Sequence, residues 1–321
     1  MDERAVQVSY VITVYNKAPY LFDVIQSLAA EHSEPCAAAE YVFVDDGSSD
    51  NSVETIRAHQ HLLPGKTIVL EQSNQGAAAA TNYGVREASH DWVRLLDGDD
   101  IVCTDSTAIM AQLAIRENAP FVIGNFGYFS QEKELLPQIE QVNEDDYVVM
   151  SQDDALQRFI RNFSHNSSCM LIKKAFFQSI GGADTRLMSP DYTLALRATA
   201  HCRKMVRLQC NVTQMVEQAP GRLSSQIGRS RYDSIMAIYL LAHELMPARR
   251  DVAEAVYRRA CSRAYRYARI LKNRPTRHFL RYIGSRLYLP KDLKSATYQC
   301  LSAFTPDATP ERPIEWTPGK K

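Results

Sequence analysis

Residues 92–100 of the chain read WVRLLDGDD, a short apolar run that ends in three carboxylates within four residues. An apolar run of this length predicts a buried β-strand, with Asp97, Asp99 and Asp100 at its carboxyl end. Carboxylates held this close repel one another, and each is more stable when hydrated. A divalent cation relieves this conflict, because Mg²⁺ and Mn²⁺ prefer carboxylate oxygens and often take further ligands from substrate phosphates. The segment therefore predicts a metal site, and a solvated acidic turn is the alternative.

The sequence before this segment alternates apolar runs with helical patterns. Runs at residues 8–14, 41–44 and 67–70 predict strands, and apolar spacing predicts helices from Pro19, around residues 53–61 and over residues 76–88. Apolar strands that alternate with helices indicate a parallel sheet covered on both faces, whose ligands bind beyond the carboxyl ends of the strands. Polar residues from four strands meet there: Thr13, Tyr15, Asn16, Asp45, Asp46, Asn74, Asp97 and Asp99. We therefore predict one binding site at this edge.

The second half of the chain has a different pattern. Residues 121–129 and 168–172 predict strands, residues 143–150 are irregular or antiparallel, and residues 192–200 predict a helix. From Ser224 the pattern is helical nearly to Tyr288, with breaks at Pro247 and Pro275. We expect an α/β catalytic domain over residues 1–222, a basic helical region over 223–304 and a Pro-rich tail over 305–321. No G-x-G-x-x-G follows the first strand, which disfavours a dinucleotide-binding dehydrogenase.

Charge is distributed unevenly along the chain. The 321 residues carry no formal net charge, yet residues 250–294 hold thirteen Lys and Arg against three Asp and Glu. This basic segment suggests an anionic partner. The seven scattered cysteines form no C-x-x-C pair, so they predict neither a zinc site nor a disulfide framework. The first residues lack the features of a signal peptide and no apolar run is long enough to cross a bilayer, so we expect a cytoplasmic protein.

Four motifs occur in an order and spacing that resemble the family-2 glycosyltransferases of the GT-A fold. They are VITVYNK at residues 11–17, FVDDGSSD at 43–50, NQG at 74–76 with ATN at 80–82, and LLDGDD at 95–100. A weaker fifth match covers residues 181–184 and 190–197, so the resemblance spans residues 8–217. It implies a Rossmann-like, mostly parallel sheet flanked by helices, here with an α-helical C-terminal extension. It also implies an inverting, metal-dependent transferase that moves a sugar from a nucleotide diphosphate, with a lean toward uridine. The acceptor would be a hydroxyl of a glycan or lipid-linked glycan in bacterial cell-surface polysaccharide synthesis.

The resemblance also implies roles for residues at the sheet edge. Thr13 and Tyr15 would line the nucleotide pocket, with the Tyr15 ring against the base, and Asp46 would accept a hydrogen bond from the base edge. Asp97 would lie near the ribose or the metal, and Asp99 would be the principal ligand of Mn²⁺ or Mg²⁺. The remaining nucleotide-sugar-binding residues implied are Asn16, Asn74 and Gly76. The alternatives are a core aromatic for Tyr15 and a helix cap for Asp45 or Asp46.

The catalytic base implied by the resemblance is Asp191, which would take the proton from the acceptor hydroxyl. The alternative is a carboxylate that only stabilises the start of a helix. Two positions depart from the family pattern: Pro190 replaces a usual Glu, and Thr81 replaces a frequent Arg. They leave open a non-catalytic nucleotide-sugar-binding scaffold, and a polyprenyl-phosphate glycosyltransferase is the alternative within the class.

Arginine and tyrosine alternate through residues 257–288. On helices, an apolar face would contain Val256, Ala260, Ala264, Tyr267 and Leu271, with the arginines on the remaining faces. A basic helix with interfacial aromatic residues suits the surface of an anionic membrane, so we expect peripheral membrane association through residues 250–294. Packing against an acidic catalytic domain is the alternative. Nucleic acid is not expected, because no nucleic-acid fold signature accompanies the charge.

Overall fold

The structure is a computed structural model, and it describes residues 6–31, 39–129, 143–188, 190–216 and 227–304. These residues fall into two compact units. The first is drawn from residues 1–155, 164–185 and 201–220, and the second from residues 156–163, 186–200 and 221–321. The second unit includes residues 156–163 and 186–200 as well as the C-terminal residues. The predicted domain boundary at residue 222 remains a prediction. The predicted tail over residues 305–321 lies outside the described residues.

The described strands are β1 (Val8–Val14), β2 (Ala39–Asp45), β3 (Lys66–Glu71), β4 (Trp92–Asp97), β5 (Asp100–Val102), β6 (Phe121–Phe129), β7 (Tyr147–Ser151), β8 (Met170–Lys173) and β9 (Lys204–Val216). The described α-helices are α1 (Ala18–Ala30), α2 (Ser52–His59), α3 (Ala77–Glu87), α4 (Ser106–Arg116), α5 (Gln152–Arg161), α6 (Lys174–Ser179), α7 (Pro190–His201), α8 (Ile227–Leu240), α9 (Arg250–Ile270), α10 (Pro275–Leu287) and α11 (Leu293–Tyr298).

The strands form one mixed sheet in the order β3-β2-β1-β4-β8-β6-β9-β5, with β7 also paired to β9. The pairs β3–β2, β2–β1 and β1–β4 are parallel, as the alternating pattern predicts. In register, Thr13 lies beside Asp97, and Val14 lies beside Asp45. The predicted α/β fold is confirmed, and the polar ends of β1, β2 and β4 meet at one edge of the sheet.

The parallel strands are covered by apolar residues from the helices. Leu21, Ile25 and Leu28 of α1 are fully buried, and the rings of Tyr10 and Tyr41 stack with their centroids 5.2 Å apart. Helix α3 approaches the sheet so closely that a Cβ atom on Gly84 would lie 2.4 Å from Val11 Cγ1. A glycine is therefore required here for the helix to pack against the sheet.

Strand β4 contains a fully buried arginine inside its apolar run. Arg94 donates to the carbonyl oxygens of Met170 of β8 (3.3 Å) and Val212 of β9 (3.1 Å), so it bonds to two other strands of the sheet. Burial lowers the pKa of this guanidinium, and the negative charge of Glu31 opposes that shift. The buried Glu31 carboxylate in turn accepts hydrogen bonds from Tyr10, Ser106 and Thr107. Arg94 and Glu31 therefore form a buried charged cluster, which the apolar pattern of residues 92–96 does not predict.

The sequence pattern predicts neither β5 nor β9, although β9 has thirteen residues. Residues 204–216 read KMVRLQCNVTQMV, so polar residues interrupt the continuous apolar run that identifies a parallel strand. Strand β9 pairs antiparallel with β5 and β7 and parallel with β6, which explains how a polar sequence is held extended. The predicted strand at 168–172 begins at Met170, and Ser167–Cys169 form a 3-10 turn before it.

The second unit is mainly helical, as predicted. Helix α10 begins at Pro275, which is the predicted break, and the preceding helix α9 ends at Ile270. The buried face of α9 includes Val256, Ala260 and Ala264, which belong to the predicted apolar face. Within the described residues, no helix is both long enough and apolar enough to cross a membrane.

Candidate active site

Asp97 lies at the carboxyl end of β4 and is held by hydroxyl groups. Its Oδ1 atom accepts hydrogen bonds from Thr13 Oγ1 (3.3 Å) and Ser167 Oγ (2.9 Å). Its backbone nitrogen donates to Ser168 Oγ at 2.9 Å. Because β8 runs antiparallel to β4, the turn that precedes β8 delivers both serines to this edge. The sequence motifs do not include Ser167 or Ser168.

The surroundings of Asp97 oppose its ionisation. Burial raises its pKa most, and the negative charge of Asp99 raises it further. The hydrogen bond from Ser167 and the positive charge of Lys17 act in the opposite direction without cancelling the shift. A site that raises the pKa of a carboxyl in this way is stabilised by an added cation, because the cation favours the charged form.

Asp99 already contacts one cation, the side chain of Lys17. Lys17 Nζ lies 2.6 Å from Asp99 Oδ2, and both side chains are mostly buried. The backbone nitrogen of Lys17 donates to Ser52 Oγ at 2.9 Å, which holds the start of α1 in place. Lys17 directly follows Asn16 in the first motif, so the sequence contained the signal, but no role was assigned to it.

The chemistry of Asp97 and Asp99 fits Mg²⁺ or Mn²⁺. Both groups supply oxygen ligands, and the negative charge of Asp99 raises the pKa of the buried Asp97 carboxyl even though Lys17 contacts Asp99. Among the described residues, no group of three His, Cys, Asp or Glu side chains is arranged to hold a metal ion. A cation here would need further oxygen ligands from phosphate or water, and Mg²⁺ sites commonly use such ligands.

Asp100 behaves differently from its two neighbours. Its Oδ2 atom accepts hydrogen bonds from Asn166 Nδ2 (2.6 Å) and Ser168 Oγ (2.7 Å), and the residue is buried. These contacts satisfy the carboxylate inside the protein, so we assign Asp100 a structural role. The acidic segment therefore separates into two carboxylates at the edge and one that anchors the turn before β8.

The two aspartates after β2 are also distinct. Asp46 accepts hydrogen bonds from Gln72 Nε2, the Gln75 backbone nitrogen and the Gly76 backbone nitrogen, each at 2.8 Å. It thereby shapes the loop between β3 and α3, and its contact with a base remains a prediction. Asp45 Oδ2 accepts from the backbone nitrogens of Gly47 and Ser48 in the loop after β2, whereas the next helix, α2, begins only at Ser52, so these bonds are not the predicted helix cap. Its Oδ1 atom is buried without a hydrogen-bond partner among the described residues.

Asn16 and Tyr15 lie in the loop after β1. Asn16 has a φ of 53°, and its Oδ1 atom accepts from the Ser49 backbone nitrogen at 2.8 Å. Its own backbone nitrogen donates to Ser48 Oγ at 2.9 Å, so Asn16 joins the loops after β1 and β2. Tyr15 is 48% exposed, which rules out the alternative of a core aromatic residue. An exposed ring beside this joined pair of loops is available for stacking.

The loop between β3 and α3 carries the remaining predicted residues. Asn74 is exposed, and Gly76 has a φ of 92° at the start of α3. The neighbouring turn needs glycine, because Gly47 has a φ of 75° and a Cβ atom there would lie 2.9 Å from the Asn74 nitrogen. Thr81 is buried and donates to the Ala77 carbonyl, so it supplies no cation to this edge.

Asp191 lies in the first turn of α7, in the second unit. A hydrogen-bond network that the sequence pattern does not predict holds this turn. The Met188 nitrogen donates to Asp233 of α8 at 2.9 Å, and the Tyr192 hydroxyl donates to the Phe159 carbonyl at 2.7 Å. Arg263 of α9 is buried, lies 5.2 Å from the Tyr192 ring centroid and donates to the Tyr192 hydroxyl at 3.3 Å. Arg263 is therefore an internal contact of this unit, whereas the sequence placed it on a basic face.

Comparisons with known proteins find relatives among glycosyltransferases. GlyG of Streptococcus pneumoniae, a glycosyltransferase, is 28% identical over 196 residues, which cover 58% of this chain and 63% of GlyG. Poly-beta-1,6-N-acetyl-D-glucosamine synthase of Staphylococcus epidermidis is 32% identical over 106 residues, 33% of this chain and 24% of the synthase. The chain thus spans less than two thirds of the length of these relatives.

Solved structures share the fold. TarS 1–349 of S. aureus in complex with UDP-GlcNAc superposes with a TM-score of 0.61 at 17% identity, covering 94% of this chain and 83% of TarS. The mannosyltransferase PcManGT of Pyrobaculum calidifontis, in complex with GDP-Man and Mn²⁺, superposes with a TM-score of 0.57 at 16% identity, covering 94% and 86%. The sequence profile described as "Glycosyl transferase family 2" matches residues 9–181, more than half of the chain. The chain therefore belongs to glycosyl transferase family 2.

Proposed function

We propose that the protein transfers a sugar from a nucleotide diphosphate, with UDP as the preferred nucleotide, to a hydroxyl of a glycan or lipid-linked glycan. The setting we propose is bacterial cell-surface polysaccharide synthesis. Family membership and the names of the relatives support the class of reaction. The observation that carries the proposal is the pair of carboxylates at the end of β4, Asp97 and Asp99, in surroundings that favour a cation.

We assign the metal to this pair, with Asp99 as the principal ligand and Asp97 as the second. A bound Mn²⁺ or Mg²⁺ would neutralise the negative charge that develops on the departing diphosphate. Ser167 and Thr13 hold the Asp97 carboxylate in one orientation. The ammonium group of Lys17 places a positive charge beside Asp99. This charge limits repulsion between the two carboxylates before the donor binds.

We assign the nucleotide to the loops that follow β1, β2 and β3. The exposed Tyr15 ring would stack on the base, and Asp46 would accept from the base edge. The buried Asp45 Oδ1, which lacks a partner among the described residues, makes Asp45 a second candidate for that contact. The remaining binding residues proposed are Thr13, Asn16, Asn74, Gly76 and Asp97.

We assign the general base to Asp191. Its carboxylate would take the proton from the acceptor hydroxyl while the acceptor oxygen forms a bond to the anomeric carbon. The bond from that carbon to the diphosphate oxygen breaks on the opposite face, so the anomeric configuration inverts. One carboxylate is sufficient for this step, which makes Pro190 compatible with activity.

Two alternatives remain in the proposal. A polyprenyl phosphate could replace the glycan hydroxyl as the acceptor, and the basic segment 250–294 favours an acceptor near anionic groups. A non-catalytic nucleotide-sugar-binding scaffold is favoured by Thr81, which supplies no cation for the diphosphate.

We also propose that the basic segment brings the protein to an anionic membrane surface. A cytoplasmic location stays a prediction.

Thermal unfolding with a panel of nucleotide sugars and Mn²⁺ tests the binding step. We expect uridine donors to raise Tm and the chelator EDTA to remove that increase. Release of free nucleotide from the donor, with and without acceptor glycans, then separates the enzyme from the scaffold. Donor binding without any nucleotide release, across all acceptors, would favour the scaffold. A Tm that no nucleotide sugar changes would contradict the whole proposal.

A further inference from the structure

Helix α10 of the second unit exposes large apolar side chains. Leu280 is 66% exposed, Ile283 is 42% exposed and Leu287 is 85% exposed. Their spacing of three and four residues places them in one stripe along the helix. An exposed apolar stripe of this kind marks an interaction surface more often than isolated apolar residues do.

The opposite side of α10 is polar and buried. His278 and Ser285, seven residues apart, are each 1% exposed. A surface helix of a globular protein normally directs its apolar stripe toward the core and its polar residues toward water. Helix α10 has the reverse arrangement, so its outward face is suited to a surrounding that is itself apolar.

Positive charges flank the stripe. Arg277 and Arg286 are exposed on either side of it, and residues 272–294 contain seven Lys and Arg against one Asp. By contrast, Arg263 of the preceding helix is buried on Tyr192 and cannot contribute to this surface. Exposed arginines also occur on α9, at Arg258, Arg266 and Arg269, but Arg277 and Arg286 are the ones on the same helix as the apolar stripe.

We propose that α10 docks on an anionic phospholipid bilayer and lies in the plane of the headgroup region. Leu280, Ile283 and Leu287 enter the boundary of the acyl chains, and Arg277 and Arg286 contact lipid phosphates. This combination of an apolar face with flanking basic residues is the chemistry of interfacial helices.

Charge complementarity favours lipid over a second copy of the chain. A symmetric dimer through this face would bring the same basic surface of each copy against the other, because a two-fold interface uses one patch twice. The bilayer supplies anionic groups and hydrocarbon together, so it satisfies both features of α10. The inference rests on the membrane association proposed above and specifies the element that makes the contact.

The test is sedimentation of the full chain with vesicles of phosphatidylcholine alone and of phosphatidylcholine mixed with phosphatidylglycerol, at low salt. We expect partition only into the anionic vesicles. The pair of substitutions Leu280→Gln and Leu287→Gln should lower partition by about tenfold or more, because binding of an interfacial helix scales with its buried apolar area. The pair Arg277→Gln and Arg286→Gln should lower it by about thirtyfold, since each basic residue near an anionic surface strengthens binding by about fivefold and the two factors multiply.

Matched controls exist on helix α4 and helix α2. Ile115 is 55% exposed outside the stripe, so Ile115→Gln should leave partition unchanged. Arg57 is exposed and paired with Glu71, so Arg57→Gln should also have no effect. All the substituted side chains are exposed, and Tm of each variant checks that folding is retained.

Three results would overturn the inference. The wild-type chain could fail to sediment with anionic vesicles, or the α10 variants could partition as strongly as Ile115→Gln. Alternatively, the leucine variants could abolish a dimer seen by sedimentation velocity while vesicle binding stays unchanged, which would identify a second copy as the partner. The rate of sugar transfer to a water-soluble acceptor should be equal in the wild type and the α10 variants. This rate tests the proposed activity independently of vesicle binding, so the two proposals can fail separately.

Discussion

The edge of the sheet in the first unit and helix α10 in the second unit both keep groups in unfavourable surroundings. At the edge, Asp97 and Asp99 bring negative charges close together in a mostly buried site. On α10, Leu280 and Leu287 are exposed to water. Neither arrangement helps the chain to fold, so each indicates a ligand: a cation for the edge and an apolar, anionic surface for the helix. Substitutions in the two regions should therefore have different effects: those at the sheet edge should change sugar transfer, and those on α10 should change membrane binding.

The largest effect is expected at Asp191, which is the one residue of the second unit that we assign to chemistry. Asp191→Asn should lower the transfer rate about 10²- to 10⁴-fold, because no group would take the proton from the acceptor. Binding of UDP with Mn²⁺, measured by calorimetry, should stay at the wild-type level. A variant that keeps its turnover would return Asp191 to the alternative role of stabilising the start of α7.

Arg263 tests whether a basic residue of the second unit can act on chemistry through positioning. Arg263→Met removes the contacts with Tyr192, the neighbour of Asp191, and should lower kcat by up to about 10²-fold at a temperature well below Tm. The affinity for UDP should not change. Arg266, which is exposed on the same helix, provides the control, since Arg266→Met should leave kcat unaffected. Equal kcat values for both variants would rule out this positioning role.

Asp100 tests whether the carboxylates of the acidic segment have different roles, with Asp97 and Asp99 binding a metal and Asp100 stabilising the fold. Asp100→Asn places an amide against the donors Asn166 and Ser168, and it should lower the free energy of unfolding by about 1–3 kcal/mol. The folded fraction should retain transfer activity, because the edge carboxylates are intact. Chemical denaturation measures the first quantity, and activity per folded molecule measures the second. A stable but inactive variant would mean that Asp100 contacts the substrate.

Asp97→Asn should have the smallest effect on stability. It should raise the free energy of unfolding, whereas Asp100→Asn should lower it. Because the folded state raises the pKa of Asp97, the ionised carboxyl destabilises the fold above that pKa, and this cost disappears as the pH falls. The asparagine variant should therefore unfold at a slightly higher temperature than wild type at neutral pH without metal. The difference should shrink in acid. A lower Tm across the whole pH range would contradict the electrostatic argument.

The sequence was sufficient to predict most of the edge because its elements are local. Apolar runs at β1, β2 and β4 end in polar residues, and parallel pairing necessarily brings those ends together. The partners of the carboxylates could not be predicted. Ser167 and Ser168 reach Asp97 and Asp100 only because β8 pairs antiparallel with β4, a long-range contact that no local pattern encodes.

The second unit shows the same limit in another form. Helical spacing predicted the helices, the break at Pro275 and the apolar face of α9, but it did not predict the burial of Arg263 or the exposed stripe of α10. Arg263 was expected on a basic face and is buried, whereas Leu280 and Leu287 are apolar and exposed. Burial depends on which neighbour a helix meets, and the periodicity of one helix contains no information about that neighbour.

The most direct test of the central claim is Mn²⁺ binding measured by the electron paramagnetic resonance signal of the free ion, with and without UDP. We expect UDP to strengthen Mn²⁺ binding to the wild-type chain. Asp99→Asn should weaken the binding at least about tenfold, while Asp100→Asn should bind as wild type does. If Asp99→Asn binds Mn²⁺ with UDP as tightly as the wild-type chain, Asp99 is not the principal metal ligand and the account of this site is wrong.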